Sequence, residues 1–363
     1  MKIRLKKQRK SYDKILLLTT VTFTLLGILF ILDASGPEAL NKFSDRFYFA
    51  RQQLYWGVLG TFLMLFVSRI NYSVWKKFAV VLFFLTLVTL IVVLIPPIGV
   101  KVLGAKRWIV LGEFTFQPSE IVKLTLAIYI AKVAASGKKI LAYLVPLIVV
   151  LFLVMLQPDL GTALIIAVVT FSQLYISGLP ILNLFYIGFG GVIASLLLII
   201  GSAYRRSRLL TFLHPINDVL GRSYHITQIL YALGSGGLLG VGLGQSRQKY
   251  LFLPEAATDS IFAVISEEIG FVGAFIVILL FIFFIARCIK IVKTAPDKFS
   301  FILALGITSW LASQTLINLN SIVVLTPLTG VPLPFFSYGG SSIISILIAI
   351  GILLNISRHA ETR

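Results

Sequence analysis

The sequence has one cysteine, three histidines and only 14 acidic residues against 32 Lys and Arg in 363 positions. A lone cysteine, Cys288, excludes a disulfide framework or a multi-cysteine metal site within one chain. His214, His225 and His359 are scattered without metal-ligand spacing. There is no Walker loop, no GxSxG, no HExxH and no dinucleotide fingerprint, so nucleotide-driven chemistry has no residues to rest on. Charge is scarce as well. Charged residues make up 13% of the chain and hydrophobic ones 58%, and the mean hydropathy of +0.97 places it in a membrane. The net charge of +18 sits mainly in the gaps between apolar runs, where it sets topology and meets lipid headgroups rather than nucleic acid.

A helix needs about 20 apolar residues to cross the hydrocarbon core, and about ten such runs are present. They centre on 15–32, 53–69, 78–96, 119–135, 141–156, 160–177, 182–201, 260–286, 300–324 and 340–356. The expected fold is an all-α integral membrane protein of about ten transmembrane helices. A single polytopic domain covers 15–357, between a basic tail at 1–14 and a short tail at 358–363. The stretch "MKIRLKKQRK" and the basic gaps at 69–77, 132–139 and 287–298 fall on one side, which puts both termini in the cytoplasm. The first run is long and lacks a small-residue cleavage site, so it reads as an uncleaved helix. The outer face then receives 33–52, 98–118, 202–259 and 325–339. Segment 202–259, just before the eighth helix, is the largest loop, and its "YHITQILYALGSGGLLGVGLG" suggests short helices or re-entrant pieces. No persuasive internal repeat is found.

The scarce carboxylates are concentrated. "LPEAATDSIFAVISEEIG", Leu253 to Gly270, holds Glu255, Asp259, Glu267 and Glu268. Thr258 or Asp259 suits the N-cap of a helix beginning near Ile261. Glu267 and Glu268 sit in apolar sequence, where a carboxylate needs a partner, a cavity or a proton. Cations accompany them on the same face: Lys106 and Arg107 in "GAKRW", Arg205, Arg206 and Arg208 in "YRRSR", Arg247 and Lys249 in "GQSRQKY". Singly these are solvated loop charges; together they suit a pyrophosphate-bearing ligand. Glu120 and Lys123 share a helix face at i,i+3, and either neutralise each other or line a cavity. Asp159 opens another helix after a Gln-Pro turn, as a cap or a cavity wall. "PLTGVPLPFFSYGGSS", 327–342, contains Ser337 and a Gly-Gly-Ser-Ser helix start, whose amides and hydroxyls suit an anion or a sugar.

"FQPSEIVKL", "LQPDLGTA", "GSGGLLGVGLGQSRQKYLFLPEAATDSIFAVISEEIGFVGA" and "PLTGVPLPFFSYGGSS", in that order, resemble the signature stretches of the SEDS proteins (shape, elongation, division and sporulation). The likeness runs over nearly the whole chain. It implies a ten-helix peptidoglycan glycosyltransferase of the bacterial cytoplasmic membrane that polymerises lipid II, an undecaprenyl-linked disaccharide, at the outer face. It also implies a class B penicillin-binding protein as transpeptidase partner, with other division proteins alongside. "SRQK" at 246–249 and "LPFFSYGGSS" resemble the FtsW-like division and sporulation branch more than the RodA-like branch, which implies the division septum.

By the same resemblance Asp259 is the catalytic carboxylate, bordered by Glu255, Arg247 and Lys249, while Glu120, Lys123 and Asp159 match polar positions lining a central cavity. Lys106, Arg107, Arg205 and Ser337 complete the candidate substrate-binding set. A divalent cation, Mg or Mn, is expected, with Asp259 its candidate ligand, and no nucleotide. The sequence departs from the family pattern at Ala257, where a histidine commonly precedes the Thr-Asp pair, and at Ser260, where phenylalanine is usual. Direct attack without a glycosyl-enzyme would invert the anomeric centre. The competing readings are a lipid II flippase, which would use the intramembrane Glu120, Lys123, Glu267 and Glu268, and a non-catalytic scaffold of the division machinery.

Overall fold

The computed structural model describes residues 11–102, 105–112, 114–201, 203–213, 221 and 223–360; the basic stretch 1–10 and His214 lie outside them, as does the side chain of Arg205. The chain begins with α1 (Lys14–Phe43), α2 (Tyr48–Val67) and α3 (Ser73–Val92), followed by β1 (Gly99–Val102), β2 (Ala105–Leu111) and β3 (Phe114–Phe116). Next come α4 (Pro118–Ala135), α5 (Leu141–Leu156), α6 (Leu160–Ser177), α7 (Ile181–Ile200), α8 (Ala203–Leu213) and α9 (Tyr224–Gly236). The last three helices are α10 (Ile261–Lys293), α11 (Lys298–Ile322) and α12 (Gly340–Arg358). A helix falls on each of the apolar runs, and among the described residues 6 helices, α1, α3, α6, α10, α11 and α12, are long and apolar enough to cross a membrane. Of the other helices on apolar runs, α4 carries Glu120, Lys123 and Lys132, and α5 is only 16 residues long.

The start of α1 meets the end of α12. Asp13 caps α1 by accepting from the Leu16 amide at 2.9 Å, pairs with Arg287 of α10 at 2.8 Å, and its own amide donates to Ser357 of α12 at 3.0 Å. At the same end the Tyr72 hydroxyl donates to Asp297, which also closes a capping box at the start of α11. The opposite, far end of the bundle carries the sheet, α8, α9 and the segments that lead into α10 and α12.

The far end departs from the expected all-α fold in one place. Residues 99–116 form a three-stranded antiparallel meander in the order β1-β2-β3, with Val100 opposite Trp108 and Ile109 opposite Phe116. Alternating Val, Ile, Trp and Phe suit a half-buried pleated surface, and the stretch is too short and too polar to span lipid.

Helices α4, α11 and α12 are buried on nearly every side and form the centre of the molecule. A second packing centre joins α1, α10 and the segment before α12: Phe23 lies 4.9 Å from Phe281, 5.5 Å from Phe284 and 5.6 Å from Phe335 and Phe336, ring centre to ring centre. Offset aromatic contacts of this kind fix the "LPFF" segment against two helices.

Helix α10 is broken at Gly270, whose φ of 67° and ψ of −173° leave the helical region. The glycine-rich strand after α9 fills the break. Val241 and Gly242 donate to the carbonyls of Glu267 and Glu268 at 3.0 Å, and Phe271 and Val272 donate back to Gly237 and Leu238 at 2.9 and 3.1 Å. The contact is backbone on backbone: a Cβ on Gly270 would lie 2.2 Å from the Gly240 nitrogen. The expected re-entrant piece is therefore this strand, docked into a kinked helix. Gly270→Ala combines a left-handed backbone with a backbone clash and should cost about 2 kcal/mol or more. A thermal-unfolding midpoint in detergent lower by several degrees is the expected result, and an unchanged midpoint would contradict this account.

Candidate active site

Asp259 ends the loop that precedes α10, yet it does not cap that helix; the cap position is Ser260. Its carboxylate instead faces a cavity of about 280 Å³ lined by Ser207, Arg208 and Thr211 of α8, His225 and Ile226 of α9, Ser321 and Ile322 of α11, and Leu328 and Gly330. The residue is held from behind. The Asn318 side-chain amide donates to the Asp259 carbonyl at 2.9 Å and to the Val331 carbonyl at 2.8 Å. Ser337 donates to the Thr258 carbonyl at 2.6 Å, and the Tyr338 amide to the Ala257 carbonyl at 2.9 Å. Gly330, at φ 72°, lets the backbone pass so close that a Cβ there would sit 3.2 Å from Asp259 Oδ2.

Burial raises the Asp259 carboxyl to about 7, and the negative charge of Glu255 adds to it; the nearby cations Arg208 and Arg107 pull the other way, and Asp159 pushes up again. An acid poised there can hold or release a proton near neutrality, which is what a general base or acid needs. Arg208 faces Asp259 across the cavity and its guanidinium also donates to the Leu328 carbonyl at 2.9 Å.

The other expected site residues separate into groups. Glu255 is exposed next to the cavity, with its carboxylate accepting from Thr258 at 2.6 Å. Arg107 reaches from β2 to the carbonyls of Gln157 (3.0 Å) and Pro158, so it braces the turn before α6. Asp159 caps α6 through Thr162, 3.2 Å from its amide and 2.9 Å from its hydroxyl. Lys106 lies half-exposed on β2, and Arg247 is exposed outside the cavity lining. Arg205 belongs to α8, but its side chain lies outside the described residues. Ser337 is an anchor for the loop rather than a cavity wall.

Lys249 is buried and committed elsewhere: its ammonium lies 2.7 Å from Asp33 of α1 and 2.8 Å from Glu268. Burial alone would lower the lysine's pKa, and the bonds to the two carboxylates outweigh it and raise it. Glu267 accepts from the Ser246 hydroxyl and from the Arg247 amide at 3.1 Å. The two intramembrane carboxylates thus clamp the "SRQK" loop. Glu120 and Lys123 form a second buried pair at 2.8 Å, and Lys123 also donates to Gln314 at 2.8 Å under the ring of Trp310. Gln314 passes the connection on to the Pro332 carbonyl at 3.0 Å, one helical turn from Asn318 and its bond to Asp259.

Sequence reasoning passed over Asn318, Gln314, Asp33 and His225. Gln314 and Asn318, four apart in an apolar helix, were the available signal, because amides are seldom placed in a span without a partner. Among the described residues no three acidic, imidazole or thiol groups converge to cage a metal ion. The donor set offers one hard oxygen centre, Asp259, which suits a hydrated cation shared with a ligand's own oxygens rather than a protein-only site.

Such an arrangement defines a multi-pass membrane protein whose far-end segments place a carboxylate and an arginine, Asp259 and Arg208, in one cavity between helices. The model of the FtsW/RodA/SpoVE family, described as "cell cycle protein", matches residues 13–362, and the chain belongs to that family. Stage V sporulation protein E of Bacillus subtilis is 37% identical over 98% of this chain and 99% of its own length. The "Probable peptidoglycan glycosyltransferase FtsW" of Trichlorobacter lovleyi is 41% identical over 96% of this chain and 93% of its own. Among solved structures, a chain of a peptidoglycan synthase complex that coordinates polymerization and crosslinking superposes with a TM-score of 0.77 at 27% identity, covering 96% of this chain and 98% of that one. Thermus thermophilus RodA gives 0.69 at 27% identity, covering 97% and 98%.

Two stability outcomes follow. Lys249→Ala leaves Glu268 buried and unpaired and should cost about 3 kcal/mol, read as a lower unfolding midpoint. Asp259 behaves oppositely. An unfolded aspartate loses its proton near 3.8, whereas the folded one keeps it to about 7. Folding stability therefore falls as pH rises between those values and is level above them. Asp259→Asn should raise the midpoint, by more at about pH 8 than at about pH 4.5; no gain at the higher pH would contradict the buried-carboxylate account.

Proposed function

We propose that this protein is a peptidoglycan glycosyltransferase that polymerises lipid II into glycan strands at the extracytoplasmic face of the bacterial cytoplasmic membrane. The single observation that carries the chemistry is Asp259: a pinned, half-buried carboxylate with a pKa near neutrality, facing Arg208 in an open cavity. The relatives' names supply the reaction class.

In the reaction, a hydroxyl oxygen of the acceptor sugar forms a bond to the anomeric carbon of the donor. The bond from that carbon to the pyrophosphate oxygen breaks, and its electron pair leaves with undecaprenyl pyrophosphate. The hydroxyl proton passes to the Asp259 carboxylate. Charge gathers on the leaving pyrophosphate, and Arg208 is the cavity cation placed to meet it, with Arg107 adding positive potential from behind. One-step displacement inverts the anomeric centre, and a single central carboxylate fits that outcome better than the paired carboxylates of retaining enzymes. A divalent cation, Mg or Mn, belongs to the same proposal: Asp259 and the pyrophosphate oxygens would hold it, and it would supply positive charge to the leaving group.

The far end of the bundle faces outward in this reading and both termini face the cytoplasm, as the basic gaps favour. The peptidoglycan synthase complex among the structural matches supports a class B penicillin-binding protein as partner, and the FtsW relatives support the division septum. Of the carboxylates that a flippase would need, Glu268 is bonded to Lys249, Glu267 to the Ser246 hydroxyl, and one oxygen of Glu120 to Lys123.

The test is lipid II polymerisation by the full-length protein with its transpeptidase, with glycan products resolved on a gel. Asp259→Ala and Asp259→Asn should lose at least about a thousandfold in rate while keeping wild-type expression and fold. Arg208→Ala should lose about tenfold to a hundredfold. Wild-type rate should rise with pH through about 7, as the base loses its proton. Chelation of divalent cations should suppress the ladder and Mg should restore it. Equal ladders from wild type and Asp259→Ala would remove the proposed base.

A further inference from the structure

Among the described residues, the Asp259 cavity holds one imidazole. His225 sits in the first turn of α9, half-buried, and lines the cavity beside Arg208, Asp259 and Ser260. Its Nε2 lies 2.8 Å from the Ser260 hydroxyl, and Ser260 directly follows Asp259 in the chain. Ser260 is 1% exposed, so the partner that orients the ring is itself rigidly placed. The other ring nitrogen, Nδ1, makes no hydrogen bond to any described residue. The other end of α9 is tied to α10 independently of this bond: the Ser235 hydroxyl donates to Glu267 at 3.3 Å, and Gly237 and Leu238, just after the helix, accept from the Phe271 and Val272 amides.

The surrounding charges define what the ring can do. Arg208 stands in the same cavity wall, Arg107 and Asp159 act from behind, and Glu255 and Asp259 supply the negative charge. Burial, with Arg208 second, lowers the imidazole to about 4, so the ring is neutral near pH 7. A neutral ring held by Nε2 presents one nitrogen, as donor or acceptor according to tautomer, which suits a hydroxyl able to do either.

We propose that His225 is a substrate-contacting residue of the polymerisation reaction: with Nε2 fixed by Ser260, its Nδ1 hydrogen-bonds a hydroxyl of the lipid-linked glycan beside Asp259. The inference rests on the glycosyltransferase reading above. Its contribution is to binding, equal in ground and transition states, so it is read in KM rather than kcat.

The experiment is steady-state lipid II polymerisation by the full-length protein with its transpeptidase, comparing wild type, Asp259→Ala, His225→Ala, His225→Gln and Ser260→Ala, with thermal unfolding of each. His225→Ala should raise KM about fivefold to tenfold, with kcat within about twofold and the unfolding midpoint unchanged. His225→Gln, whose amide both donates and accepts, should recover most of the loss. Ser260→Ala should raise KM less than His225→Ala, because the ring remains. Wild-type KM in His225→Ala overturns the inference. So does a loss that Ser260→Ala reproduces in full together with a lowered midpoint, since the ring would then be a structural pin. Were His225→Ala not to fold, the KM of His225→Gln and Ser260→Ala decides by the same criteria. A wild type that makes no polymer overturns the glycosyltransferase reading itself, whereas active wild type, inactive Asp259→Ala and unaffected His225→Ala reject the histidine alone.

Discussion

A carboxylate inside a membrane protein must find a partner, and the pairing of Glu267, Glu268 and Lys249 at the break in α10 is the interaction on which the far end depends. Glu268 and Asp33 take the Lys249 ammonium, and Glu267 takes the loop hydroxyl and amides. Three pieces of chain distant in sequence, α1, the glycine-rich strand with its following loop, and α10, are thereby fixed to one another. The next residues along that loop lead directly to Asp259. The loop that carries Asp259 is thus tied at its start by charges that lie outside the cavity lining.

A second buried network reaches the same residue from the other side. Glu120 and Lys123 of α4, Trp310, Gln314 and Asn318 of α11, and the carbonyls of Val331 and Pro332 form a continuous path that ends on the Asp259 backbone. The Lys123 ammonium and the Gln314 and Asn318 amides donate along this path and hold its elements rigidly together, while Glu120 Oε2 and Asn318 Oδ1 accept from no described residue. Rigidity matters here because a proton acceptor must be held to a fraction of an ångström, and side chains fixed by packed helices hold better than those on free loops.

Two aspartates that each stand just before a helix have opposite fates. Asp159 and Asp259 both precede a helix, and either was suited to be a cap. Asp159 is one, with its charge used on Thr162. Asp259 leaves the cap position to Ser260, and its carboxylate, which accepts from no backbone amide among the described residues, is pushed up by burial and faces the cavity. The same physical groups serve structure in one place and chemistry in the other, according to whether a backbone amide satisfies them.

The sequence by itself determined the membrane class, the helix positions and the importance of the stretch from Leu253 to Gly270. These follow from hydropathy, from the length needed to cross lipid, and from the cost of placing acids in apolar sequence, all of which are local properties. The signature stretches also carried the family. What only the tertiary structure decided is which charges meet. Lys249, expected to border the site, is a buried tie; Ser337 is an anchor; Arg208 is the arginine among the described side chains of its cluster that lines the cavity; and Asn318 and His225 come from helices 59 and 34 residues away from Asp259. The sheet at 99–116 was likewise hidden, since a short strand signal in a loop between spans is weak beside the hydropathy of its neighbours. Partnership between side chains depends on helix rotation and on where a backbone break admits another strand, and neither is written in the spacing of residues along one chain.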